Sequence, residues 1–326
     1  MPRLIHLFAV ALLMLTSLQL AAQNWQPYPE SLPQFSFSDQ QLAEHWSALT
    51  GDLRGPLPTA ESLLDDAERW PEAYGFTEQL LIEKAREDER FAIFNDGLQG
   101  QEEAYAYLVR QAWRLLLEGR FQEARDLGLS LGPAGYFPGL YAQALQASLI
   151  ETDAKRREAL LKDVIEKTAA ILPLAPEHPM IRFGNAYGKA RILEDLSPSA
   201  AMSTGYTSEV KAQLEQLIAE NERDVYAITL LGGVHAGIID KAGKMLGRMT
   251  FGARESTMVE MFERALALNP HYSGLYLEYA RALEKVEGRS ARRQIRELLE
   301  TGAALPARSA EEALMVEACR RMLAEM

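Results

Sequence analysis

Histidines, a single cysteine, adjacent carboxylates and a run of glycines are the residues of this 326-residue chain that could do chemistry, so their spacing decides what is open to it. His45, His178, His235 and His271 stand far apart. Neither an HExxH helix signature nor a cysteine cluster accompanies them, and a zinc site has no convergent donor set in the sequence. Cys319, in Val316-Glu-Ala-Cys-Arg-Arg-Met-Leu323, has no second cysteine to pair with and no histidine motif beside it, and it reads as an apolar contact of a terminal helix. Asp65-Asp66 and Glu311-Glu312 are neighbours on helical stretches, where successive side chains diverge by about 100°, so they make poor acid–base pairs. Phosphate loops, dinucleotide fingerprints and nucleophile elbows are absent as motifs. The sequence therefore predicts no catalytic residue, no metal and no cofactor.

The glycines are the more informative feature. Six of them, Gly232, Gly233, Gly237, Gly243, Gly247 and Gly252, punctuate an apolar stretch that also carries Lys241, Lys244 and Arg248. Each glycine inside a helix costs about 0.5–1 kcal/mol relative to alanine, so propensity does not account for them. Close helix packing is the leading explanation; a lid or ligand-facing turn and contact with a membrane are the others. Asp240 stands four residues before Lys244, the spacing of an ordinary surface ion pair. His235 follows Leu231-Gly232 at a position that favours a packed or locally hydrogen-bonded ring. Tyr141, Tyr187, His235 and Tyr276 are the candidate binding surface, since tyrosine combines apolar area with a hydrogen-bonding end. For each of them plain packing is the competing reading.

The elements that must position these residues are helices throughout. Met258 to Leu283 reads as a helix carrying Phe262 and Ala265, a break at Asn269-Pro270, and a second helix with Tyr276, Tyr279, Ala280 and Leu283 on one stripe. Ala112 to Arg125 repeats the design, with Gly119 at a helix end, Phe121 over the turn and Ala124 on the returning helix. Further hairpins are expected from Gly139 through Leu172, before Pro173 and Pro176, and from Ile181 through Glu220 with a long joining loop. Ser38 with Gln41 caps a helix that buries Leu42, His45, Trp46 and Leu49 and breaks at Pro56–Pro58. Thr59 and Ser309 open two others, and no alternation long enough for a sheet is found.

This pattern resembles the tetratricopeptide repeat, and it implies an all-α, tetratricopeptide-like helical-hairpin solenoid with irregular N-terminal helices and a C-terminal capping helix. The expected organisation is a signal peptide over 1–22, an N-terminal linker and irregular helical cap over 23–100, a repeat array over 101–308 and the capping helix over 309–326. All four tryptophans fall before Leu115, where they would pack the terminal hairpins. A basic start, an apolar run from Leu4 to Leu20 and Ala21-Ala22 fit an export signal, and no cysteine follows it to carry a lipid. The expected location is the periplasm or the outside of the cell, not as a lipoprotein.

A net charge of −12 speaks against a nucleic-acid partner. Pro138-Gly-Leu-Tyr141, His235-Ala-Gly-Ile-Ile-Asp-Lys241 and Phe251-Gly-Ala253 also resemble, more loosely, the T component associated with tripartite ATP-independent periplasmic transporters. That resemblance implies a noncatalytic adaptor that recognises a periplasmic protein, such as a transporter solute-binding protein, and contacts a small hydrophobic ligand. Ligand carriage alone, an envelope-assembly scaffold and an enzyme are the alternatives, and homo-oligomerisation is left open.

Overall fold

The computed structural model describes residues 25–51 and 54–326; the expected signal segment lies outside them. The described residues form sixteen α-helices and no strand. In chain order they are α1 (Asp39–Thr50), α2 (Ala60–Arg69), α3 (Pro71–Glu87), α4 (Glu102–Leu117), α5 (Phe121–Leu129), α6 (Pro133–Leu145), α7 (Ala154–Ile171) and α8 (Pro179–Asp195). There follow α9 (Pro198–Thr204), α10 (Tyr206–Glu220), α11 (Val225–Ala242), α12 (Lys244–Phe251), α13 (Glu255–Leu268), α14 (Ser273–Glu287), α15 (Arg292–Ala304) and α16 (Ala310–Glu325).

Local signals set several boundaries. Ser38 and Gln41 form a reciprocal capping box at the start of α1, while Gly51, at φ 61°, ends the helix before the prolines are reached. Leu42, Trp46 and Leu49 are buried as expected, but His45 faces solvent. Gly119 sits at φ 83° between α4 and α5, and a β-carbon there would fall 2.8 Å from Tyr28. That contact ties the start of the described chain to the α4–α5 turn. Tyr28 and Leu32 are buried, the Trp25 amide donates to the Gln122 side chain at 2.9 Å, and the Phe37 amide donates to Glu118 at 2.8 Å. The helix expected from Gly139 begins instead at Pro133, carries Pro138 within it and runs on through a π turn, Gln146–Ile150. The long loop expected between α8 and α10 holds the short helix α9.

Packing follows the hairpin pattern, since α4 lies on α5, α5 on α6, α7 on α8, α10 on α11 and α14 on α15. Next-but-one contacts join α4 to α6, α8 to α10, α11 to α13 and α14 to α16. In the α13–α14 hairpin Phe262 and Tyr279 stack at 4.8 Å with Ala265, Ala280 and Leu283 buried around them, a contact whose truncation at Phe262 costs about 3–5 kcal/mol. The last helix is more than a cap on an open end. Ala310 to Val316 are buried in succession, and α16 touches α4 and the π turn as well as α14 and α15. The C-terminal helix thus lies against elements from the first half of the chain.

Candidate functional site

A cavity of about 280 Å³ opens between α8, α11 and α14. Helical periodicity explains which residues reach it. α8 contributes Phe183, Tyr187, Ala190, Arg191 and Glu194, all on one face, and α11 contributes Tyr226, Leu230, Gly233, Gly237 and Lys241, again spaced by three or four. α14 adds Gly274, Leu275, Glu278 and Lys285. Met202 of α9 and Leu246 and Phe251 of α12 border it on one side, and Tyr141, Tyr272 and Met315 on another. A smaller apolar cavity of about 30 Å³ shares Tyr141, Phe183 and Tyr187 with it.

Behind the tyrosines lies a polar hub. Glu311 accepts hydrogen bonds from the hydroxyls of Tyr141 (2.5 Å) and Tyr272 (2.6 Å) and from Arg54 Nη2 (2.8 and 2.9 Å). Arg54 also donates to the Tyr226 hydroxyl from Nε at 3.0 Å and from Nη2 at 2.8 Å, and its guanidinium lies 4.3 Å from the Tyr141 ring centroid. Burial is the largest influence on Arg54 and opposes its charge, but Glu311 together with Tyr226, Tyr141 and Tyr272 more than offsets it and keeps the guanidinium firmly protonated. Burial, then the Glu311 charge, pushes the Tyr141 and Tyr272 hydroxyls well above their usual range, so both act as fixed donors. Tyr226 is pushed up to about 12, mainly by burial.

The far wall carries a second ionic set. Arg191 donates to Glu278 at 2.9 Å and to Glu194 at 3.1 Å, and lies 4.9 Å from the Tyr187 ring centroid. Lys285 reaches Glu194 at 3.2 Å, and Lys241 donates to the backbone carbonyls of Glu194 (3.1 Å) and Leu196 (2.6 Å) at the end of α8. Burial alone would raise Glu278, but Arg191 and Arg281 hold its carboxyl down to about 2; Glu194 is lowered in the same way by Arg191 and Lys285. These carboxylates are ionised near neutrality and suit positioning rather than proton transfer.

The expected binding residues separate. Tyr141 and Tyr187 line the cavity. His235 does not: it is buried, and its Nδ1 accepts the Arg254 amide at 3.2 Å, which fixes the start of α13. Tyr276 lies elsewhere, its hydroxyl donating to the Pro270 carbonyl at 2.9 Å, and Tyr272 occupies the cavity in its place. The glycines divide as well. A β-carbon on Gly232 would come within 2.8 Å of Phe262 and one on Gly247 within 3.1 Å of Ile238, so these two permit close packing. Gly237, like Gly233, faces the cavity with open space beyond it. Gly243 (φ 80°) and Gly252 (φ 67°) bound α12. The expected Asp240–Lys244 pair is not formed; Lys244 pairs with Glu255.

Residues missed from the sequence include Phe183, Arg191, Tyr226, Tyr272 and Glu278 on the cavity wall, with Arg54 behind it; Glu311, set aside as half of an adjacent carboxylate pair, lies beside Arg54. Their signal was the period-four spacing of Phe183, Tyr187 and Arg191, which by itself looks like any core stripe. Among the described residues no histidine lines the cavity and no group of side chains could hold a metal ion. Compared with known proteins, the sequence matches no family model and finds no match among curated proteins. Fold and site together describe an all-α protein with an aromatic-walled cavity.

Proposed function

We propose that this chain is a noncatalytic binding protein of the periplasm. It carries a small, largely apolar ligand in the cavity between α8, α11 and α14, and it passes that ligand to a partner such as a transporter solute-binding protein. Repeated hairpins of tetratricopeptide type supply the rigid wall. The observation that carries the reading is the cavity itself, with tyrosine and phenylalanine on its sides and with Arg191, Glu194, Glu278 and Lys285 paired among themselves. Such a wall favours an apolar body and leaves polar contacts to set orientation.

Titration with the neutral apolar dye phenylnaphthylamine tests the ligand. Saturable brightening is expected, weakened roughly tenfold, or about 1.4 kcal/mol, by Gly237→Leu, which fills the cavity from an open position. Equal binding by both proteins would sink the cavity as the site. The handover is tested separately, by crosslinking in the native envelope: repeated recovery of a solute-binding protein supports it, and recovery of the chain alone counts against it.

A further inference from the structure

Helix α12 carries exposed apolar side chains where a helix of a soluble body would ordinarily be polar. Met245 is 77 % exposed, Met249 78 % and Leu246 51 %, and Met202 of nearby α9 is 63 % exposed. Met202 and Leu246 also line the cavity, so the patch is continuous with its rim. Lys244 and Arg248 stand four residues apart, one position ahead of Met245 and Met249, which places a cationic stripe beside an apolar one. Arg254 joins them on the same shallow surface, where Glu255 pairs with Lys244 and the charge of Glu287 also acts on that lysine. This basic group sits on a chain whose net charge is −12.

We infer that α12 docks the protein on an anionic lipid surface, with Met245, Leu246 and Met249 entering the headgroup boundary and Arg248 and Arg254 meeting lipid phosphates. The charge pattern selects this occupant. A second copy of the same patch would set cations against cations, whereas an anionic bilayer attracts this face and repels the acidic remainder, which fixes orientation. The long stems of lysine and arginine let the charges stay at the phosphates while the methionines go deeper. Positive-φ glycines at both ends allow α12 to sit across its neighbours, and its packing is against α11. Docked in this way, the cavity rim faces the apolar phase, and a ligand can move between bilayer and cavity without crossing water.

The test is co-sedimentation of the processed protein, its N-terminus checked by mass, with vesicles of equal parts phosphatidylglycerol and phosphatidylethanolamine, beside vesicles of phosphatidylcholine. Salt-sensitive binding to the anionic vesicles is expected, with little to the neutral ones. Arg248→Glu should weaken it about tenfold, and Met245→Asp with Met249→Asp should abolish it. Met245→Leu with Met249→Leu should retain it. Thermal unfolding shows that each variant is folded, which the exposure of these side chains favours. Absence of binding at low salt, or equal binding by the aspartate pair, overturns the inference. So does a change in self-association caused by that pair, which would make the face a contact between copies. Dye binding in the cavity is measured without vesicles, so failure here leaves the ligand reading standing and the reverse also holds.

Discussion

Glu311 draws three distant chain segments together. It accepts from Arg54 before α2, Tyr141 on α6 and Tyr272 ahead of α14, while it is itself buried in α16. Glu311→Leu would leave the Arg54 guanidinium buried without its counter-charge, a loss of about 3–5 kcal/mol. Adding Arg54→Met should recover much of that loss in urea unfolding, because removing a whole buried pair costs less than breaking it. A double variant no more stable than the single would place the importance of Glu311 in its tyrosine bonds. Two histidines report a different property. Burial, aided by Arg69 for His178 and by Lys211 for His235, pushes both rings down to about 4. The unfolded chain then binds more protons between about pH 6.5 and 4. Their contribution to stability is complete above that window and is lost as pH falls through it. Unfolding free energy should decline less steeply there in the His178→Gln, His235→Gln double variant, and an unchanged slope would show that these rings are already accessible to protons.

At the scale of the helix, α11 shows how glycine serves two purposes within about a turn and a half. Gly232 and Gly237 are alike in sequence, yet one abuts Phe262 and the other meets open space. Gly237→Ala should therefore stabilise by about 0.5–1 kcal/mol through helix propensity alone. Gly232→Ala should destabilise, since the Phe262 ring is held by its stack on Tyr279 and has little room to give. Thermal unfolding of the two variants should move in opposite directions; a shared direction would mean that the α11–α13 contact relaxes freely. The helices themselves were legible from capping residues and apolar spacing, as at Ser38, Ser309 and the Phe262–Leu283 hairpin. What the sequence hid was partnership. Tyr272 and Tyr276 are four residues apart, and only the packing of α14 decides that the first enters the cavity and the second turns back to Pro270. His45 likewise shares the helical spacing of Leu42 and Leu49 but falls just outside the arc that its neighbours cover.

Over the whole molecule, the C-terminal helix converts a row of hairpins into a body whose late elements rest on early ones. Cys319 reports on that closure. It is fully buried, and its thiol is pushed up to about 12, mainly by burial. Alkylation in the native state should proceed only at the rate of global unfolding, and rapid labelling would show that α16 opens on its own. Such closure could not be read from the sequence, because the Arg54–Glu311 pair spans most of the chain and neither residue lies in a motif. The repeat-like spacing gave local hairpins, while the cavity arose from how α8, α11 and α14 diverge around them. Native mass spectrometry of the protein gently recovered from the cells that make it, beside Gly237→Leu, addresses the cavity most directly. A discrete retained small-molecule mass that is absent from Gly237→Leu is the expected result. An identical, ligand-free mass for both proteins, with the dye also failing to bind, would contradict a carrier role.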